Sequence, residues 1–392
     1  MVIGLRMGTV ATMKDKGVIP SLAADMLGRG TAKYTYQQLN DALDKYKANL
    51  SVSASGQDVN VSVQTTRENL LNVIGLIEEM LRRPSFPASE FEKLKEENLA
   101  GIESQKSEPN AIASVVFSRI SSPYPKGDVR YTMNFDEEAE ATKAAKLEEV
   151  KGFYQQFYNG QYATVAIVGD FDEKATLSAL APVLDNWKSS VAYEEARDEY
   201  FDVAPKVEKL NTPDKKNAML MCGMNLQLND DDPDFAALVI GNYILGGGFL
   251  NSRLAVRVRQ KEGISYGIGS YLQAGQKDKA GIFGSYAIFN PDNLDRLITA
   301  YKEELARITT EGVTDTELAD AVKGYLQNRN VSRSQDRELA SRLNNYLRWE
   351  RTFSWDASLE SRMASLKTAE VNAALKKWIQ PSKLTFVEAG DF

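Results

Sequence analysis

The sequence predicts an α+β fold of two homologous domains, each a mainly antiparallel sheet layered with helices. The first observation is a repeat. Glu149–Phe171 and Glu370–Phe392 match in register, and each holds an amphipathic helix followed by a β-rich segment that stops at Gly-Asp-Phe. A repeat this long exceeds the roughly 20–50 residue period of a solenoid and indicates a duplicated domain. The second observation is that strand patterns come early and helices follow them, which favours α+β layers over a doubly wound parallel sheet.

The domain boundaries follow from the repeat and from the length of the chain. A chain of 392 residues exceeds one core of ordinary size, so two domains are expected. The first is predicted over 1–188 and the second over 217–392. Between them, 189–216 is charged, carries two prolines and lacks sustained periodicity. We therefore predict a linker that lies over the surface.

The elements of the first domain are predicted from hydrophobic periodicity and turn residues. In order, they are a strand over 2–11, helices over 18–27 and 36–47, a hairpin of 48–56 and 58–64, helices over 67–82 and 88–104, and the closing helix and strand of the repeat. Met1–Met7 lacks the charged start and long apolar core of a signal peptide and indicates a strand already under way. We therefore expect the chain to be a piece of a longer protein.

The composition excludes several kinds of chemistry. The chain contains no histidine, which is the side chain that titrates near neutrality and the commonest metal ligand. A Ser-His-Asp or Cys-His arrangement cannot be built from it, and neither can an H-x-x-E-H zinc site. If the chain takes part in catalysis, we expect it to supply something other than the base or the metal.

The charge and hydropathy limit the kinds of partner, and the cysteine content limits disulfide and thiol chemistry. The net charge of −7 argues against nucleic acid or an anionic membrane, and no segment has the roughly 18 apolar residues of a transmembrane helix. The single cysteine, Cys222, permits no internal disulfide, so it leaves the redox compartment undetermined. It sits in an apolar run without an activating neighbour, which predicts a packed thiol and not a nucleophile.

Two stretches are similar to motifs of one family. The first is Gly17–Thr31, a short loop and helix that lead to Gly-Thr. The second begins at Leu245 with three glycines, Gly246, Gly247 and Gly248, passes through Ser-Arg-Leu, and continues to Tyr266. Together with the domain order, they make the chain resemble the pitrilysin/insulinase family of zinc metallopeptidases, the inverzincins, over two of that family's repeated domains. The resemblance implies the processing-peptidase-like metallohydrolase fold and two halves that enclose a peptide in a chamber.

The first motif has lost its metal ligands. In the family, this helix carries H-x-x-E-H, and here the two histidine positions hold Ser21 and Asp25 while the glutamate position holds Ala24. The family's distant glutamate ligand falls near Ala100, with Glu103 close by. Zinc needs three protein ligands and the reaction needs a carboxylate base, so we expect no metal on this chain and zinc only in a partner half.

The second motif is intact. In the family, an arginine and a tyrosine seven residues later reach toward the zinc site of the other half, and the matching positions are Arg259 and Tyr266, with Arg257 as a competing candidate. The resemblance makes this pair a transition-state support in trans and, with the three glycines, a substrate-binding surface. A solvated helix face and a cross-strand aromatic are the structural alternatives. The glycines lack the Gly-Lys-Ser/Thr of a phosphate-binding loop, so we expect a turn with close backbone approach.

These observations predict the non-catalytic half of a zinc metalloendopeptidase, inactive alone. The expected partners are a peptide substrate and a catalytic half, either on the same polypeptide or as a homologous active subunit, without nucleic acid or membrane insertion. The alternative is a non-proteolytic structural or peptide-binding homologue that resembles the core subunits of respiratory complexes. The resemblance is compatible with a bacterial periplasm or cell envelope, and the sequence itself indicates no compartment.

Overall fold

The structure is a computed structural model that describes all 392 residues. The first half of the chain forms helices and strands that alternate irregularly. In order they are β1 (Val2–Arg6), α1 (Ile19–Leu27), α2 (Tyr36–Lys45), β2 (Asn49–Ser55), β3 (Asp58–Gln64), α3 (Leu70–Arg82), α4 (Ala88–Gln105), α5 (Pro109–Ser121), α6 (Phe135–Ala144), α7 (Leu147–Phe157), β4 (Thr164–Ala166) and α8 (Glu173–Leu184).

The second half begins with one additional strand, β5, and then again consists of strands followed by helices and a closing strand. Its elements are β5 (Val207–Asn211), β6 (Ala218–Leu226), α9 (Phe235–Asn242), β7 (Ser265–Gln273), β8 (Gly281–Phe289), α10 (Leu294–Thr310), α11 (Asp315–Arg333), α12 (Asp336–Trp349), α13 (Phe353–Ser365), α14 (Thr368–Trp378) and β9 (Thr385–Gly390). Two short π-helices, Tyr243–Gly247 and Ala255–Lys261, lie between α9 and β7.

The chain forms two compact units. Unit 1 consists of 1–103, 124–196 and 332–350, and unit 2 consists of 104–123, 197–331 and 351–392. Each unit therefore contains one helix from the other half of the sequence: α12 belongs to unit 1 and α5 to unit 2. The units differ in this respect from the predicted ranges 1–188 and 217–392, because contacts and not sequence position decide where these helices lie.

The sheet of unit 1 has four strands in the order β2-β3-β1-β4, and all its pairs are antiparallel. One face is covered by α1, α3 and α7, whose apolar side chains form the main core with β1 and β3. The edge strand β2 alternates between exposed and partly buried residues, as expected for a strand at the rim of a layer. The predicted hairpin is confirmed over almost its whole length.

The sheet of unit 2 follows the same order with one strand added. Its order is β5-β9-β6-β8-β7, in which β9, β6, β8 and β7 correspond to β4, β1, β3 and β2 of unit 1. The pairs β6·β9, β6·β8 and β7·β8 are antiparallel, and only β5·β9 is parallel. The predicted α+β class with mainly antiparallel sheets is therefore confirmed, and the order of the shared strands agrees with a duplicated domain.

The exchanged helices cover equivalent glycines of the two sheets. In unit 1, Gly4 of β1 pairs with Thr164, and a Cβ on this glycine would lie 2.9 Å from Asn344 Oδ1 of α12. In unit 2, Gly223 of β6 pairs with Thr385, and a Cβ there would lie 2.8 Å from the ring of Phe117 of α5. Thr164 and Thr385 are matching positions of the sequence repeat. A glycine at this position therefore gives each helix its close approach to the sheet.

Three features differ from the predicted elements. The strand predicted over 2–11 ends at Arg6, since Gly8 has a φ of 69° and a turn follows. The helices α5 and α6 were not predicted, because neither carries a long amphipathic stripe. The linker predicted over 189–216 contains β5, which pairs with the free edge of β9. In β5, exposed and partly buried residues alternate and none is fully buried, so the sequence carries no apolar run that would mark a strand.

None of the helices is both long enough and apolar enough to cross a lipid bilayer.

Candidate functional site

The three zinc-motif positions lie on α1 and do not form a ligand set. Ser21 is exposed, and its hydroxyl donates to the carbonyl oxygen of Val18 at 3.0 Å. Ala24 is fully buried and carries no ligand atom. Asp25 is half-buried, its carboxylate makes no hydrogen bond or ion pair, and burial raises its pKa. One carboxylate falls short of the three ligands that zinc needs, and no group of His, Cys, Asp or Glu suited to a metal occurs in the structure.

A guanidinium ion pair lies beside these positions. Arg29, in the loop after α1, donates to both carboxylate oxygens of Glu97 on α4, and the Nη1–Oε1 distance is 3.3 Å. Its guanidinium carbon also lies 4.9 Å from the centre of the Tyr36 ring. The hydrogen bonds from Arg29 lower the pKa of Glu97. The guanidinium of Arg29 is therefore already neutralised by the carboxylate of Glu97.

The Arg29–Glu97 ion pair is not evident from the sequence. The motif alignment predicts the family's distant glutamate near Ala100, which is exposed. The carboxylate that approaches the end of α1 is instead Glu97, about one turn earlier on α4. The sequence does show an arginine, Arg29, just after α1 and a glutamate, Glu97, on α4. The pairing depends on how α4 packs, which no spacing in the sequence reports.

The three glycines of unit 2 lie where helical turns pack against β7. Gly246 is buried in the π-helix Tyr243–Gly247, and a Cβ there would lie 2.5 Å from the backbone nitrogen of Ser270. A Cβ on Gly248 would lie 2.7 Å from the carbonyl oxygen of Tyr243. Gly247 is exposed, and a Cβ there would first meet the side chain of Asn242 at 2.9 Å. Two of these glycines thus permit a close backbone approach, as the sequence predicts.

The predicted tyrosine is the extra residue of a β-bulge. In the β7·β8 pair, Ser265 faces Phe289 and Gly267 faces Ile288, so Tyr266 has no opposite residue. The Ser265 hydroxyl accepts from the Gly267 amide at 3.2 Å and lies 2.8 Å from the carbonyl oxygen of Ile288. Bulges are frequent next to active sites, because they redirect a side chain out of the normal alternation. Tyr266 accordingly has 68% of its surface exposed.

The two candidate arginines differ in their surroundings. Both lie on the π-helix Ala255–Lys261, which packs on β7. Arg257 is bound by carboxylates: it pairs with Glu262, and its Nη2 lies 2.8 Å from Glu303. The side chain of Arg259 is exposed and makes no hydrogen bond or ion pair. Arg259 and Tyr266 are therefore an unpaired guanidinium and an unpaired phenol on neighbouring elements of one sheet edge, joined through Gly263 with a φ of 65°.

A duplicated α+β fold in which the zinc positions hold no ligand set defines a class of inactive metallopeptidase-like proteins. Two family models match the chain: "Insulinase (Peptidase family M16)" over residues 19–127, and "Peptidase M16 inactive domain" over residues 144–325. The chain belongs to peptidase family M16. The resemblance drawn from its motifs is thereby confirmed.

Relatives and solved structures agree with this assignment. The chain is 23% identical over 389 residues to the non-peptidase homolog YmxG of Helicobacter pylori, with 98% of this chain and 87% of the relative covered. The crystal structure of a peptidase M16 inactive domain from Pseudomonas fluorescens superposes with a TM-score of 0.82 at 22% identity, covering 100% and 93%. The periplasmic protease PqqL of Escherichia coli gives 0.70 at 14%, with all of this chain but only 43% of PqqL covered. At these identities the structures support the fold.

Proposed function

We propose that this chain is the non-catalytic half of a zinc metalloendopeptidase. It forms part of the chamber wall, binds the peptide substrate and supplies Arg259 and Tyr266 to the zinc site of a separate active half. The observation that carries the proposal is a contrast within one chain. The zinc positions hold Ser21, Ala24 and Asp25, whereas Arg259 and Tyr266 are exposed, unpaired and positioned by a bulge and a π-helix.

The chemistry of peptide hydrolysis explains these two residue types. Attack of water on the peptide carbonyl produces a tetrahedral oxyanion, and donors aimed at that charge contribute a few kcal/mol each. The zinc of the active half supplies Lewis-acid chemistry there. A phenol and a guanidinium are both donors at neutral pH and need no activation. Because neither side chain is engaged within this chain, each is free to donate to substrate without first breaking another bond.

The length of one solved structure of this fold supports an accompanying half. The chain matches only 43% of PqqL, which is named a periplasmic protease, so in that protein a region of this fold accompanies a comparable length of further chain. For this chain, the corresponding partner is a half with an intact H-x-x-E-H, on the same polypeptide or on a second subunit. Zinc belongs to that partner.

The test is reconstitution with such a half. We expect the chain alone to cleave no peptide and the assembled pair to do so. Tyr266→Phe should lower kcat by about 10²-fold with little change in KM, since it removes a donor used in the transition state. Tyr286→Phe is the matched control, because Tyr286 is also an exposed tyrosine and lies on the neighbouring strand β8. Full activity of Tyr266→Phe in the assembled enzyme would exclude the catalytic contribution.

A second candidate is a free-standing homologue that binds peptides without cleaving them. The observation in its favour is that the Helicobacter pylori relative is matched over 87% of its length and is named a non-peptidase homolog. In this case the chain forms no complex with an H-x-x-E-H half, and peptide binding does not depend on one. Size-exclusion chromatography of the mixed halves, followed by the peptidase assay, separates the two candidates.

A further inference from the structure

A cleft of about 390 Å³ opens in unit 1 beside the degenerate zinc positions. It lies between α1, α2, β2 and α4. Part of its wall is apolar and is formed by Leu39, Leu43, Leu50 and Val52. A volume of this size suits a small ligand or a single long side chain. The cleft belongs to unit 1 alone, and the proposed function makes no use of it.

The polar part of the wall carries an excess of negative charge. Its charged members are Asp25, Glu97 and Arg29. Arg29 and Glu97 neutralise each other through two hydrogen bonds, so the carboxylate of Asp25 is left without a partner. Half-buried ionised groups are normally paired, because burial without a partner costs free energy. The raised pKa of Asp25 is consistent with this uncompensated burial.

We propose that this cleft binds the side chain of a lysine or arginine from an extended peptide. The cationic head donates to the carboxylate of Asp25, and the methylene stem packs on Leu39, Leu43 and the β2 side chains. Long basic side chains combine these two properties, an apolar stem and a charged end. The occupant therefore complements both the charge and the apolar wall of the cleft.

Other occupants fit less well. A metal ion would find only one free carboxylate, since Glu97 is engaged with Arg29 and no metal-suited cluster exists in the structure. An anion would meet the unpaired carboxylate of Asp25, and the only cation beside it is already bound by Glu97. An uncharged apolar side chain would leave Asp25 desolvated and unpaired.

The test compares two peptides that differ only in one charge. Acetyl-Ala-Lys-Ala-amide and the same peptide with norleucine in place of lysine are titrated into the full chain, and binding is followed by ligand-observed NMR. We expect the norleucine peptide to bind about tenfold more weakly, the loss typical of one charge-assisted hydrogen bond. In the Asp25→Asn variant, binding of the lysine peptide should fall to the level of the norleucine peptide.

The control variant is Glu96→Gln, which removes an exposed carboxylate of α4 that does not line the cleft. It should leave the difference between the peptides unchanged. Equal binding of the two peptides, retention of lysine binding in Asp25→Asn, or absence of binding to the folded chain would each overturn the proposal. Because the assay uses this chain without an active half, its outcome is independent of whether the chain contributes to proteolysis.

Discussion

The guanidinium of Arg253 forms two parallel hydrogen bonds with the carboxylate of Glu317, with Nε–Oε1 at 2.7 Å and Nη2–Oε2 at 2.8 Å. Arg253 follows the glycine-rich segment, and Glu317 lies in the first turn of α11. Nη2 also donates to the carbonyl oxygen of Gly312 at 2.9 Å. This pair ties the segment between the two π-helices to the rest of unit 2, so it restrains the elements that carry the proposed substrate surface.

The first prediction concerns the pH dependence of this pair. Hydrogen bonds from Arg253 lower the pKa of Glu317 from its ordinary value of 4.5 to about 2. A carboxylate with a lowered folded-state pKa contributes stability above pH 4.5 and loses it as the pH falls toward 2. Glu317→Gln should therefore lower the free energy of unfolding by about 1 kcal/mol at pH 7, a value reduced for partial exposure. Urea unfolding of both proteins should show this difference shrinking between pH 4.5 and 2. Glu311→Gln, an exposed carboxylate nearby in sequence, should show no such trend.

The second prediction separates the two arginines of the π-helix. Arg257→Ala should lower the free energy of unfolding by about 1 kcal/mol, because Glu262 and Glu303 lose their shared cation. Arg259→Ala should leave stability unchanged, since its side chain has no partner to lose. In the assembled enzyme, Arg259→Ala should lower kcat/KM and raise KM as well, if the guanidinium holds the peptide backbone before attack. Thermal unfolding and steady-state kinetics measure these effects. A KM effect confined to Arg257→Ala would move the assignment to that residue.

The third prediction tests the close approach of the glycine-rich segment to β7. In Gly246→Ala, the new Cβ would lie 2.5 Å from the backbone nitrogen of Ser270, which cannot move without disturbing the strand. We expect a loss of about 1–3 kcal/mol in the free energy of unfolding, the usual range for overpacking. Gly267→Ala is the control, since a Cβ there meets no atom within 4 Å. Chemical denaturation compares them, and equal stabilities would contradict the packing described.

The fourth prediction concerns the stability cost of Asp25. Its pKa is raised by burial, so its ionisation opposes folding, and this cost appears as the pH rises above the ordinary value of 3.8. Asp25→Asn should therefore be at least as stable as the original chain at pH 7, and its advantage should shrink toward pH 4. Urea midpoints at the two pH values check this. A marked loss of stability at pH 7 would mean that the carboxylate has a structural partner.

Much of the fold was predictable because its signals are local. The alternating residues around Gly56 predict the β2–β3 hairpin, and the repeated Gly-Asp-Phe endings predict the duplication. The positions of α5 and α12 were not predictable, since their packing depends on a glycine in a distant strand. For the site, the motif spacing singles out Arg259 and Tyr266. The bulge that isolates Tyr266 and the carboxylates that engage Arg257 arise only from strand register and helix packing.

The exchange of α5 and α12 has a consequence for how the chain is made. As the ribosome releases the protein, the sheet of unit 1 lacks its covering helix until α12, with Asn344, has emerged, long after the strands of that sheet. By contrast, α5 is synthesised before the sheet that it covers, which is complete only after β6 and β9 have followed. Contacts of such long sequence separation slow folding, because the intervening chain must be ordered first. The two homologous halves are therefore expected to mature together and late, and a chain cut between residues 188 and 217 should leave each fragment with an uncovered sheet prone to aggregation.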